Sequence, residues 1–423
     1  MKHSSIQGMK WATVALSAAL AACGGGGSDS PATSGVTTPS KIGSSIGVLS
    51  DAAVQGVAFS TSSGVTGATN ALGQYSYNPG DTVSFKLGTL TLGTAPEAAL
   101  VTPIELAGGS ANKLQNLLVL LQSLDTDGLA ANGISIPAAA AAAVTTGIDL
   151  ASAPAGFAST ANTGLVAAQT AGGISRPITS SGAAAAHFLD QSRALLSSQV
   201  WLGSYDNGAG IVFQRFGADG KYLNAQIGPS EGGGMSGVEY GTALPTSFDT
   251  RGFASSPRAE LDTNGTWGLS HPSACDRLRL VGDQLVYDDA PASCVSVGTF
   301  PLSKAPNDNT GLVGVWGFGS ASLIKTQTFV FWADGRFAMI DPEGDTEASN
   351  CGGPGVEYGT YAFNSSTRAF KVLTVTVDTN GCAGLRDSQT GALASFNITL
   401  SADGSTASVA AGAETFALFR VSR

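Results

Sequence analysis

A chain of 423 residues with a net charge of −10 and only 12 % charged residues is long enough for roughly two to four domains. The acidic balance excludes a nucleic-acid groove and adhesion to anionic lipid through basic patches. A hydrophobic fraction of 43 %, with 56 glycines and 7 % aromatics, suits an exported, β-rich protein better than a cytosolic enzyme.

The chain opens with Lys2 and Lys10 and an uncharged run from Trp11 to Ala22. That run is shorter than the roughly 20 apolar residues of a membrane-spanning helix. A basic start, a short apolar middle and small residues before a boundary describe a secretory signal peptide over residues 1–22. Leu20-Ala21-Ala22-Cys23 resembles the lipobox of bacterial lipoproteins. The resemblance implies lipidation of Cys23 and, with Gly24 rather than Asp following it, delivery to the outer membrane. Acyl chains on Cys23 would hold the protein in outer-membrane lipid, each buried methylene adding about 0.8 kcal/mol. The other reading is an ordinary signal with an accidental cysteine. Residues 23–45 are mostly Gly, Ser, Thr and Pro, a flexible tether with a reach of roughly 25 Å.

Residues 46–196 read as a small β module with helices. From Ile46 to Leu92, strand alternation is broken by turn residues, with Tyr75, Tyr77, Val83 and Phe85 alternating. Gly67-Ala68-Thr69 followed by Gly73-x-Tyr75-x-Tyr77 resembles the transthyretin-like or carboxypeptidase-regulatory-like β-sandwich, which implies a spacer or interaction module. Leu114, Leu117, Leu118, Leu121 and Leu124 then share one helical face, and the helix should end near Asp125. Asp125-x-Asp127-Gly128 matches the first part of a calcium loop, making Asp125 and Asp127 metal candidates. The twelfth loop position is Ile136 rather than Glu, so an Asx turn is the competing account. Short helices are expected between Pro137 and Arg176. A longer one follows, with Phe188, Leu189, Leu195 and Leu196 towards a core and His187 at the surface or in a cap.

The C-terminal half is a tandem duplication. Ser236–Thr242 (SGVEYGT) returns as Pro354–Thr360, Phe216–Leu223 as Phe331–Ala338, and Asp262–Leu269 (DTNGTWGL) as Asp378–Leu385. Trp201 corresponds to Trp316, and all four pairs keep their order at an offset of 115 to 118 residues. The copies are bounded at 197–306 and 307–423. Each parses into eight short antiparallel strands, with Asp334-Gly335 at a tight hairpin, suggesting an up-and-down barrel or a related sandwich. The Gly-x-Trp opening and the strand count resemble the lipocalin or calycin barrel. The expected fold class is therefore mainly β, with two tandem eight-stranded lipocalin-like barrels behind the mixed module. An eight-stranded barrel is just wide enough for side chains or one small ligand. The large apolar residues on the second copy's strands leave a filled core and a pocket both open.

With Cys23 set aside, four cysteines remain in a disulfide-permissive compartment. Pairing inside each copy gives Cys275–Cys294 and Cys351–Cys382, the first across a hairpin turning at Gly282-Asp283. Zinc is disfavoured, because there is no Cys-x-x-Cys and only His271 lies near. Glu239 and Glu357, Asp262 and Asp378, and Asn264 and Asn380 recur at equivalent places and are oxygen donors of the kind calcium takes. Turn chemistry at Asp-x-Asn-Gly, with the glutamates as solvent-facing strand residues, is the competing account. Gly43-Ser44-Ser45-Ile46-Gly47 matches a nucleophile pattern, yet it sits at the tether, with only His187 and His271 as bases in the mature chain. No cofactor motif is present. These readings point to an outer-membrane lipoprotein that binds or adheres without catalysis, its partner a surface or host macromolecule. The alternative is a carrier of a small apolar ligand in a barrel, periplasmic or outward-facing; a hydrolase dependent on Ser45 or His271 comes third.

Overall fold

The computed structural model describes residues 42–421 apart from 97–98, 206–207, 231, 244, 274, 321–323, 345–351, 383 and 387–395. The signal segment, Cys23 and most of the tether lie outside the described residues, as does Cys351.

Residues from Ser45 to Val101 form two small sheets. One orders Gln74–Tyr77, Ser45–Leu49 and Leu100–Val101; the other orders Thr66–Ala68, Ala58–Thr61, Thr82–Leu87 and Leu90–Pro96. Tyr75 joins them, its ring 5.8 Å from Phe59 and 5.0 Å edge-on to Phe85. The leucine stripe becomes the helix Ala111–Ser123, whose N-cap Ser110 accepts from the Lys113 amide. Leu114, Leu117, Leu118, Leu121 and Leu124 are all buried. Against this helix packs Ser181–Ser197, which buries Phe188 and Leu196 as expected.

His187 is not at the surface. Its Nε2 lies 2.8 Å from the Asp51 carbonyl oxygen and 3.9 Å from Asp51 Oδ1, in the seam between the first strand and the two helices. Asp51 is fully buried, and its other carboxyl oxygen accepts from Gln122 Nε2 at 2.9 Å. Burial pushes the Asp51 carboxyl well above the ordinary Asp range, and the Gln122 hydrogen bond offsets part of that rise.

The second copy is a closed barrel of eight antiparallel strands: Gly314–Phe318, Thr328–Phe331, Arg336–Asp341, Gly355–Asn364, Ala369–Asp378, Phe396–Leu400, Thr406–Ala411 and Glu414–Arg420. The last strand pairs back on the first, Arg420 opposite Trp316. The interior is packed by Trp316, Phe329, Phe331, Phe337, Phe370 and Phe396 among others. One end is sealed where the Arg420 guanidinium lies 4.2 Å over the Trp316 ring and donates to the carbonyls of Gly404 and Val313.

The first copy departs from the expected eight strands. It forms a curled sheet of ten, in the order Pro245–Asp249, Gly252–Ser255, Arg277–Val281, Gln284–Asp289, Gly298–Lys304, Val200–Tyr205, Gly210–Phe216, Lys221–Ile227, Gly237–Thr242 and Arg258–Asp262. The extra segments come from one long hairpin that is continuous in the second copy and broken in the first. Pro245 and Pro257 stand at the two breaks, and proline removes the ladder donor a continuous strand needs. Cys275 and Cys294 are disulfide-bonded. Cys382 is also a disulfide cysteine, and its expected partner Cys351 lies outside the described residues.

The two copies bury a shared apolar seam. Val200, Leu223, Ala225 and Val238 of the first cluster with Val315, Ala338, Ile340 and Val356, their counterparts in the second. Equivalent residues on both sides are the signature of a two-fold interface, here within one chain. Strands such as Gly210–Phe216 are consequently buried on both faces.

The buried Asp51 carboxyl gives a pH test. A carboxyl whose folded value is raised contributes stability that is complete below its unfolded value, about 3.9, and is lost as pH rises through the folded value. Asp51→Asn removes that loss. Thermal melts from acid to neutral pH should show the variant gaining on the wild type as pH rises; a variant that falls further behind at neutral pH would contradict the assignment.

Candidate functional site

The repeated motifs converge on one device at the same end of each copy. In the first, Glu239 faces inward and is fully buried rather than solvent-facing. Its Oε2 accepts from the Leu269 amide at 2.9 Å, and its Oε1 accepts from the Ser270 amide at 2.7 Å and from the Tyr222 hydroxyl. In the second, Glu357 is equally buried and accepts from the Arg386 amide at 3.0 and 3.3 Å. Each carboxylate therefore fastens the loop that follows Asp-Thr-Asn-Gly. Burial raises the Glu239 carboxyl above its usual range, and the hydrogen bonds from Tyr222 and Ser270 oppose that rise.

The rest of both motifs serves the same fastening. Gly268 has φ = 100°, and a Cβ there would overlap Glu239 Oε2, so only glycine lets the loop come so close. Thr263 and Thr379 accept at Oγ1 from the amides of Val238 and Val356, both at 2.9 Å. A register shift follows Tyr240 in one copy and Tyr358 in the other.

This arrangement replaces the calcium reading of the repeated oxygen donors. Asp262 is an exposed turn residue whose Oδ1 accepts from the Asn264 amide at 3.1 Å, while Oδ2 lies 2.8 Å from His271 Nε2. Asp378 is exposed and sits opposite Glu357 in the ladder. At the other candidate loop, Asp125 Oδ1 accepts from the Ser135 amide at 2.9 Å and Asp127 Oδ1 from the Leu129 amide at 2.8 Å. The Arg176 guanidinium donates to the carbonyls of Asp125 and Thr126, so a cation already occupies the helix end. Among the described residues no group of three or more His, Cys, Asp or Glu side chains could hold a metal ion. Ser45 opens a strand and pairs with Tyr77, which is not the strand-to-helix turn its nucleophile pattern requires.

The loop fastened by Glu357 borders a cavity of about 740 Å³ at the barrel end opposite Arg420. Phe318, Phe329, Met339, Leu385, Phe396 and Phe416 form its apolar lining. Phe318 is 37 % exposed at the rim, with its ring 5.4 Å from that of Phe416. Deeper in, Phe331 and Phe370 lie 5.5 Å apart and fill the barrel, so the cavity is a mouth rather than a lumen. None of these lining residues stands out in the sequence singly. Aligning the two copies position by position would have marked Phe329 and Met339, because the first copy has Gln214 and Asn224 there.

No protein-family model matches the chain, and no curated protein matches it. Among solved structures, an H. pylori beta clamp in complex with 5-chloroisatin aligns at 10 % identity over 55 % of this chain. The chain spans 60 % of that protein, and a TM-score of 0.09 gives the likeness no weight for fold or function.

The fastening predicts a large stability effect. Glu239→Ala strands the Tyr222 hydroxyl and two loop amides at about 1–3 kcal/mol each. Urea unfolding should show a loss of several kcal/mol, with Gly268→Ala also strongly destabilising. A loss below about 1 kcal/mol in Glu239→Ala would contradict a buried, fully engaged carboxylate.

Proposed function

We propose that the chain is a lipid-anchored protein of the bacterial outer membrane that binds rather than catalyses, and that the mouth of its second barrel receives a small apolar ligand. The observation that carries this reading is the mouth cavity itself. Six large apolar side chains, with Gln327 and Glu414 beside them, border about 740 Å³, within the size range of small-molecule sites. A core residue gains by burial, whereas Phe318 keeps over a third of its surface exposed at the rim. The resemblance of the design to calycin barrels, with a tryptophan opening and a sealed far end, points the same way. The lipobox supplies the address, and adhesion to a surface or host macromolecule stands behind the carrier reading because it rests on architecture alone.

The test uses the mature chain and the neutral fluorescent probe N-phenyl-1-naphthylamine. Saturable binding should appear, and Phe318→Asp or Phe416→Asp should weaken it about tenfold or more by placing a charge in the mouth. Binding that is absent, or indifferent to both substitutions, defeats the reading. Separately, Cys23→Ser should move the protein from the membrane fraction to the soluble one; retention in the membrane would defeat the lipid anchor.

A further inference from the structure

The first copy has its own cavity beside the equivalent loop, and its chemistry is different. It measures about 250 Å³ and is bordered by Leu278 and by Gly268 and Leu269, the counterparts of Gly384 and Leu385 at the other mouth. Its floor is Phe253, Leu278 and Tyr287, with His271 at the rim. Behind the floor runs a buried polar chain. The Tyr287 hydroxyl donates to Gln214 Oε1 at 2.6 Å, and Gln214 Nε2 donates to Asn224 Oδ1 at 3.2 Å. The corresponding residues of the second barrel are Val409, Phe329 and Met339, all buried in its core. The same framework is thus filled with apolar residues in one copy, and an apolar replacement of a buried polar group is commonly neutral or stabilising. Keeping three buried polar side chains in line behind a cavity marks them for use.

The hydrogen-bond directions define what they read. Tyr287 borders the cavity, and with its proton committed to Gln214 its oxygen keeps acceptor lone pairs. At the rim, His271 Nε2 faces Asp262 Oδ2 at 2.8 Å and donates there. The charged groups at the rim are engaged with each other or with backbone. Arg277 Nε donates to Asp249 at 2.9 Å, while Asp276 accepts from the amides of Ala290 and Ser273. The volume equals that of about eight liquid waters, room for one ring.

We propose that the first copy carries a second, independent binding site, for a small neutral single-ring molecule bearing a hydrogen-bond donor, a phenol or an arylamine. It is separate from the apolar mouth of the second barrel and does not depend on that reading. The probes are phenol and toluene, titrated calorimetrically into the mature chain at about pH 8, where a phenol hydroxyl keeps its proton. Phenol should bind at least about tenfold more tightly than toluene, and Tyr287→Phe should abolish the preference. Because Tyr287→Phe also leaves Gln214 without its donor, a second variant guards against misfolding. Leu278→Phe puts a larger side chain on the cavity floor and should eliminate phenol binding while the naphthylamine probe still binds the second barrel. Equal affinity for phenol and toluene, no phenol binding at millimolar concentration, or phenol binding unchanged in Leu278→Phe would each overturn the proposal. Loss of naphthylamine binding with phenol binding intact would instead overturn only the apolar mouth.

Discussion

A carboxylate taken out of water must be met by hydrogen-bond donors, and that requirement organises both C-terminal copies. Glu239 and Glu357 are buried in their strands, and both accept from backbone amides of the loop that follows Asp-Thr-Asn-Gly. Once those bonds are made, the loop is held across one end of its sheet. The repeated sequence blocks follow from this: glycine where the loop approaches the carboxylate, threonine where the hairpin is pinned, and Asp-x-Asn-Gly where the chain reverses. The loop then borders both cavities. Fold stability and the shape of the two cavities therefore share one contact.

Duplication gave this device two settings. The outward faces of the copies had to remain apolar and matched, because Val200, Leu223, Ala225 and Val238 pack on their own counterparts. Interior positions had no such tie. One interior became a stack of phenylalanines with a wide mouth, and the other kept a line of tyrosine, glutamine and asparagine behind a narrower one. The far end of the second barrel is closed by Arg420 on Trp316, and the cavity lies at the loop-bearing end.

Local signals carried the second barrel well. Alternation from Val372 to Val377 and the Asp334-Gly335 turn mark strands that the structure contains, and the leucine stripe from Leu114 marks its helix. The first copy was less legible because two prolines split a hairpin whose register is otherwise preserved on both sides of the breaks. Glu239 misled for a physical reason: polarity in a strand ordinarily means the solvent face, and its partners come from Tyr222 on the neighbouring strand and from a loop 30 residues downstream. His187 misled in the same way, since the Asp51 carbonyl that holds it is 136 residues away. The cavities were invisible in either copy alone. The contrast of Gln214 with Phe329 and Asn224 with Met339 was present in the sequence, and it acquires meaning once the strands place those residues inside.

The measurement that reaches the central claim most directly is native mass spectrometry of the protein purified from the envelope of cells that make it, followed by organic extraction of the same sample. A discrete non-covalent added mass is expected, released by the extraction and reduced when Phe416→Asp is purified in parallel. A chain that carries only its acyl groups, and that takes up no apolar molecule when one is supplied, would contradict a ligand-binding mouth.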